Sequence, residues 1–421
     1  MNVDFAYPED AAALLGCVRN RRGDRAASAP KEEGARRALL VGEGKLASPR
    51  FARSAKPMME KPMEPLPRLA VVTVIYRCER FMPGLMESVA AVDYPRARME
   101  FHLVDNGAGD GTLAAARAEI ERLRARLPEV VIHQPGANLG FAKGNNLALQ
   151  AAMARGVDYC YLLNPDATFE PGALREAVRA AEVSPEVGSV QSLLVLGDEP
   201  EVVNSSGNHI HFLGFGYVGD YRRPRKGVSP EVRDIAFSSG ACLLLPVRVL
   251  QAVGLLDETL WFYHEDLDLG WRIRLAGFRN VIAPASVCRH HYDFSRAPSK
   301  WYWMERNRWL VVLKNYRLLT LVLLLPAMCL ADLGILLMSA KGGWLGAKLR
   351  SLGWFLRPSA WGYLGRGRRA IARIRRVPDR ELLRHFTAVI DYPDFRGPLV
   401  TKLVEPVWKV MLAILRAIVR W

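Results

Sequence analysis

Three carboxylates in four residues, Glu265, Asp266 and Asp268, stand inside the stretch WFYHEDLDLGWRIRLAG from Trp261 to Gly277. Acids this close can lift one another towards the range in which a carboxylate takes a proton from a hydroxyl group. About a hundred residues upstream, LLNPDA places Asp166 just past a strand end, where Pro165 stiffens the turn. Downstream, CRHH offers His290, with His291 as its alternative. Carboxylate oxygen and imidazole both suit a divalent cation that bridges a diphosphate. Each feature also has an ordinary reading. Acids in a first helical turn answer the helix dipole, and Asp268 with Arg272 four residues on makes an ion pair across one turn.

The elements that must position these groups follow from the apolar pattern. AVVTVIY (Ala70 to Tyr76), FHLVDN (Phe101 to Asn106), VVIHQ and YCYLLNPD read as buried strands. Helical patterns lie between them, at Pro83 to Val92, at Thr112 to Leu127 and after NLGFAKGNN. Strands alternating with helices imply a doubly wound, mostly parallel α/β sheet. Ligands then sit beyond the strand carboxyl ends, where VDNG and LLNPDA fall. Past Pro185 the short apolar runs suggest antiparallel or connecting strands, a mixed half that would wall the acceptor side. The Trp261 stretch reads as an amphipathic helix with Leu267, Trp271 and Leu275 on one side.

At 421 residues the chain is long enough for one catalytic domain with appendages. Its formal charge is +15, of which residues 341 to 384 hold a net +10, from twelve Lys or Arg against Asp379 and Glu381. Charge so concentrated beside an apolar run points to an anionic membrane surface rather than to nucleic acid. The six cysteines show no C-x-x-C spacing, so neither a zinc site nor a disulfide frame is expected, and a reducing cytoplasm is. The N-terminal sequence has no signal-peptide pattern.

Three regions are expected. Residues 1–66 are mostly disordered, 67–298 form the catalytic domain, and 299–421 form basic, aromatic and apolar membrane-associated helices. In the last region SKWYWMERNRW suits a membrane interface. Leu318 to Ala340 is almost wholly apolar and long enough to span a bilayer. Pro326 and Asp332 spoil a simple span, and positive charge flanks both ends. A re-entrant or interfacial helical hairpin is therefore expected ahead of a single crossing. The final segment, LVTKLVEPVWKVMLAILRAIVRW, is a further amphipathic candidate.

VVTVIYRCERFMPGLMESV, HLVDNGAGDGT, NLGFAKGNN, YLLNPDA, GACLLLP with GLLDETLWFYHEDLDLGWRIRLAG, and PASVCRHH ahead of WMERNRW follow one another in a telling order. In that order and spacing the chain resembles the family 2 glycosyltransferases of bacterial surface-polysaccharide assembly, most of all their rhamnosyltransferase-like branch, from about Leu69 to Tyr316. The resemblance implies a GT-A type fold. It implies Asp266 as general base with Glu265 beside it, and Asp166 with His290 on Mg or Mn. Tyr76, Asp105, Asn106, Asn138, Gly140, Asn146 and Arg272 are assigned to the nucleotide sugar, Asp105 to its base or ribose. Two departures stand out: Asn164 holds the first position of the usual D-x-D, and Arg77 and Cys78 replace small polar residues after the first strand.

The implied activity is inverting transfer of one sugar from a nucleotide diphosphate to a lipid-linked or other saccharide, at the cytoplasmic face of the inner membrane. Rhamnose is the first donor sugar expected, and galactofuranose or another UDP-linked sugar the next. ERNRW at Glu305 to Trp309 is similar to the Q-x-x-R-W element of processive synthases, but Glu replaces Gln and several membrane spans are missing, so a non-processive enzyme is expected. The rivals are a catalytically inactive basic protein that binds membrane or nucleic acid, and a nucleotidyltransferase. The latter would want a Gly-rich phosphate loop where YRCERF stands.

Overall fold

Seven consecutive buried residues, LAVVTVI, make β1 (Leu69–Ile75). A strand buried on both faces needs cover on both, which is the signature of a parallel sheet between helices. The structure, a computed structural model, describes residues 66–107, 109, 111–291, 298–391 and 400–421. Apart from Leu66, the extension expected over 1–66 lies outside the described residues. Residues Leu66–Trp421 pack as one unit.

In chain order, β1 is followed by α1 (Met82–Ala91), β2 (Met99–Asp105), α2 (Thr112–Arg122), β3 (Glu129–His133), α3 (Gly140–Ala154) and β4 (Tyr159–Leu163). The mixed half comprises β5 (Ala167–Phe169), α4 (Ala173–Glu182), β6 (Val187–Leu196), β7 (Val203–Ser205), β8 (Asn208–Ile210), β9 (Gly216–Val218), β10 (Arg233–Asp234), β11 (Cys242–Pro246), α5 (Val247–Val253), α6 (Glu265–Leu275) and β12 (Arg279–His290). Six helices close the chain: α7 (Pro298–Asn315), α8 (Leu318–Lys341), α9 (Leu345–Gly353), α10 (Pro358–Ile374), α11 (Asp379–His385) and α12 (Glu405–Ile418).

The main sheet runs β10-β12-β6-β11-β4-β1-β2-β3, with β5 on β12 and β7 on β6. Strands β3, β2, β1 and β4 are parallel, whereas β11 runs antiparallel between β4 and β6. This is the expected mostly parallel sheet with a mixed half. One apolar core joins α1, α2 and α4 to one face, and a second joins α3, α5 and α6 to the other.

The reversal of strand order at β1 and β4 creates a crevice at their carboxyl ends, the usual place for a ligand in an open α/β sheet. β12 reaches that crevice by a register shift between Ala283 and Val287, around Pro284. Beyond the shift it pairs antiparallel with β5, which sets His290 opposite Ala167, the residue after Asp166.

Helix α6 departs from the amphipathic expectation. Its Leu269 and Ile273 belong to the core beneath the sheet, while Leu267, Trp271 and Leu275 belong to a third core built with the C-terminal helices. Trp271 packs edge-on against Tyr316 and Phe386, with ring centroids 4.8 and 4.7 Å away. The helix is buried all round because segments far along the chain cover the side that its own sequence makes polar.

The run from Leu318 is one continuous helix through Pro326, with no hairpin inside it. Proline removes one bond, on the solvent side of the helix, where Val322 and Leu325 are exposed. At 24 residues it is the one described helix long and apolar enough to cross a membrane. Asp332 is turned inward, bonded to Arg308, to Nε1 of Trp309 (3.1 Å) and to Nζ of Lys348 (2.8 Å). The aromatic residues of α7 likewise turn inward: Trp301 stacks on Trp344 and Trp303 on Trp261.

Candidate active site

The loops after β2 and β3 meet first. Gly107 lies in the left-handed region, and a Cβ there would stand 2.9 Å from the carbonyl carbon of Ala137. Asn106 bridges the gap: its Nδ2 donates to Oδ1 of Asn138 (2.9 Å), and its Oδ1 accepts from the Leu139 N–H (2.8 Å). Oδ1 of Asn138 also accepts from the Gly140 N–H at 2.9 Å. Gly140, at φ +75°, carries the chain against the Trp261 indole, where a Cβ would be 2.5 Å from the ring. Only glycine fits both the backbone angle and the contact. The N–H of Ala142 then donates to the Trp261 carbonyl at 3.2 Å, so the donor loop and the acidic stretch are joined.

Of the residues assigned to the nucleotide sugar, Tyr76, Asp105 and Asn138 are partly exposed at this junction. Asp105 closes a turn on the Gly107 N–H at 3.2 Å. The others are engaged within the protein. Asn146 is buried and exchanges hydrogen bonds with the backbone of Leu256 at 2.8 and 3.1 Å. Arg272, expected near the donor, is buried with Nε on Asp268 (2.8 Å) and its remaining donors on the carbonyls of Val253, Gly254 and Leu255. It clamps the segment leading into the acidic stretch rather than facing a ligand.

The three acids have separate environments. Asp268 is fully buried and neutralised by Arg272, by Lys314 at 2.8 Å and by the Asn315 amide at 2.9 Å. Asp266 is partly exposed; its Oδ2 accepts from the Gly240 N–H (3.0 Å) and its Oδ1 from the Leu267 N–H (2.7 Å). Burial raises its pKa above the ordinary carboxylate value, against the pull of those two N–H groups. Burial, rather than the crowding expected from the sequence, is the leading cause. Glu265 is buried with Oε2 unpaired, and burial, followed by the Asp266 charge, pushes its pKa well above the carboxylate range.

On the other arm, Nε2 of His290 lies 3.4 Å from Oδ1 of Asp166. Nδ1 of His290 meets Oδ1 of Asn204 at 2.9 Å, a contact that holds the ring with its Nε2 edge towards Asp166. His291 turns instead towards Asp198, at 3.4 Å. Two buried oxygens, Oδ1 of Asp166 and Oδ1 of Asn164, have no hydrogen-bond donor among the described residues. Among the described residues no three His, Cys, Asp or Glu side chains cluster as a complete metal site. Asp166 and His290 thus offer one carboxylate and one imidazole, with the Asn164 amide two residues before Asp166, a donor set that would fit a divalent cation.

A cavity of about 570 Å³ opens beside this pair, lined among others by Arg80, Phe81, Tyr221 and Arg222. Those four were not singled out from the sequence. Arg80 and Phe81 follow β1 directly, but Tyr221 and Arg222 stand between short strands with no readable pattern. Asp266 does not line this cavity. It meets the same β4–β5 turn through Gly240 and Ala241, since the Ala241 carbonyl accepts the Asn164 N–H at 2.9 Å.

Residues 67–311 match the model of the glycosyltransferase like family 2. The chain belongs to this family. Within family 2, it is 30% identical over 248 residues to the N-acetylglucosaminyl-diphospho-decaprenol L-rhamnosyltransferase of Mycobacterium tuberculosis, covering 53% of this chain and 76% of that protein. Among solved structures it is similar to GalNAc-T7 with UDP, GalNAc and Mn2+ (TM-score 0.48, 16% identity, 60% of this chain and 48% of that one). It spans about half of that chain. It is similar also to the mannosyltransferase from Pyrobaculum calidifontis with GDP-Man and Mn2+ (TM-score 0.45, 15% identity, 86% and 92%).

Proposed function

We propose that this family 2 glycosyltransferase moves one sugar, with inversion, from a nucleotide diphosphate to a lipid-linked saccharide. The observation that carries the reading is the β5–β12 register, which brings His290 to Asp166 at the end of β4. Rhamnose is the donor sugar favoured, because the Mycobacterium tuberculosis relative carries that name.

In this reading Asp105 and Tyr76 receive the base and ribose, and the loop fixed by Asn106, Asn138 and Gly140 shapes the donor side. Asp166 and His290, with Asn164, hold a Mg or Mn ion, which neutralises charge on the leaving diphosphate when bound. Asp266 takes the proton from the acceptor hydroxyl as that oxygen attacks the anomeric carbon from the face opposite the diphosphate. Glu265, whose neutral form burial favours, leaves Asp266 as the local base.

Residues 67–298 form the catalytic domain and 299–421 the membrane-associated part, working peripherally on the cytoplasmic face. The exposed apolar residues Leu318, Val322, Leu325, Leu330, Leu333 and Leu337 of α8, with Val407, Val410 and Ile414 of α12, support in-plane immersion. Arg350, Arg357, Arg366, Arg369 and Arg373 are exposed nearby in sequence and suit anionic headgroups.

A panel of nucleotide sugars with and without Mn tests the reading. The donor gives metal-dependent thermal stabilisation and single-sugar transfer to a diphospholipid-linked acceptor. No stabilisation or transfer by any member of the panel refutes it.

A further inference from the structure

Three of the four residues that lead into α6 hold backbone angles that side-chain-bearing residues rarely adopt. Trp261, Tyr263 and His264 have φ of 62, 66 and 69°, and none is glycine. A run like this persists only when its surroundings over-determine it. Asn307, fully buried on α7, supplies that constraint. Its Nδ2 donates to the carbonyls of Leu260 (2.8 Å), Phe262 (3.0 Å) and Tyr263 (2.6 Å).

The amide cannot be turned the other way. Oδ1 of Asn307 accepts from Nε (2.9 Å) and Nη2 (2.7 Å) of Arg306, so the NH2 group must face the carbonyls. Arg306 in turn donates to the Thr259 carbonyl at 2.6 Å and lies over the Trp303 ring, which stacks on Trp261. The carbonyls of Trp261 and His264 are taken by the N–H groups of Ala142 and Asp268. Every carbonyl from Thr259 to His264 therefore has a donor, and the two N–H groups of the Asn307 amide are shared among three of them.

We infer that Asn307 is a positioning residue for Asp266: it holds the left-handed run that ends two residues before that carboxylate and so sets where the base stands. The inference rests on the glycosyl-transfer reading. It gives the RN of ERNRW a task in a non-processive enzyme.

The test compares wild type with Asn307→Ala, Asn307→Asp and Asp266→Asn in transfer assays across pH. Asn307→Ala lowers kcat by about 10- to 100-fold, the usual effect of misplacing a reacting group by about 1 Å, while the donor KM stays within about threefold. Asn307→Asp is as impaired at high pH but recovers relative to wild type as pH falls, because a protonated carboxyl facing carbonyls donates once more. Adding Tyr263→Gly to Asn307→Ala recovers part of kcat by removing left-handed strain, and compared with Tyr263→Gly alone it serves where the single variant does not fold.

An Asn307→Ala enzyme with wild-type kcat overturns the inference. So does a loss that only tracks the folded fraction, or an Asn307→Asp ratio that stays flat with pH. Failure of the reading itself is distinct: wild type and Asp266→Asn are then equally inactive.

Discussion

Oδ2 of Asp266 accepts a hydrogen bond from the backbone N–H of Gly240 at 3.0 Å. This contact ties the start of α6 to the segment just before β11, and with the Leu267 N–H it favours the charged form while burial works against it. Asp266→Asn therefore keeps the fold and donor binding and abolishes transfer. Turnover by that variant at more than about one hundredth of wild type removes the residue from the mechanism, since a base contributes about 10²- to 10⁴-fold.

The acid limb of kcat/KM follows from the same environment. Asp266 must be ionised to act, and burial raises its pKa above 3.8, so activity rises with pH through a midpoint above that value. Glu265→Gln, which makes position 265 permanently neutral, keeps kcat within about threefold of wild type, as expected if the neutral form of Glu265 is the one beside the working base. It also stabilises the protein at high pH. The folded-state pKa of Glu265 is raised, so its contribution to stability is present below about 4.5 and lost as pH climbs through the raised value. A pH–rate profile and melting curves of the two proteins read both effects.

Asp166→Ala removes the metal-dependent part of donor stabilisation. His290→Ala weakens it by about 10- to 100-fold, and Asn204→Ala, which frees the far side of the imidazole, has a smaller effect in the same direction. Titration with Mn in the presence of donor, followed by thermal melting, measures all three. Donor binding that keeps its full metal dependence in His290→Ala shows that the pair is structural only.

Binding to phosphatidylglycerol vesicles falls steeply as salt rises, since exposed arginines meet a charged surface. Leu330→Glu with Leu337→Glu, both on the exposed face of α8, reduces vesicle binding by about tenfold or more, yet leaves the melting temperature in solution within a few degrees. Sedimentation with vesicles reads the first effect, and differential scanning the second.

Acid weakens the fold through buried histidines. His211, packed against Phe212, Phe215 and Trp408, has its pKa brought down by burial to about 3. The folded state keeps the ring neutral, so its share of stability is complete above about 6.5 and lost at about 1.4 kcal/mol per pH unit below that. His264, lowered by burial to about 4, acts in the same sense. Melting temperature therefore falls between pH 6.5 and 4, and His211→Phe flattens that slope.

The parallel half of the sheet was legible because each of its strands is a short apolar run followed by a helical pattern, a local signal. Asp166 could be placed from the end of such a run and His290 from the family resemblance, and the structure sets the two side chains 3.4 Å apart. What the chain does at long range was not. β5, β7, β8, β9 and β10 are two or three residues long, too short for alternation to show. The second face of α6 is covered by α7 and its successors, so side chains that suggest a solvated side lie inside the protein, Asp268 on Arg272 and Lys314 among them. Arg272 reads as a ligand group until the three carbonyls it serves, 17 to 19 residues upstream, are in view. Pro326 looks like a break, yet the helix runs on because only a solvent-side bond is lost.

The inward turn of Asp332 carries a mechanical consequence. With Arg308 and Lys348 gripping it, α8 cannot roll or sink without tearing charged partners apart, so its waterline on a bilayer is set by the folded protein itself. On the proposed membrane-surface reading, a fixed draught keeps the reactive groups at a constant height above the lipid headgroups.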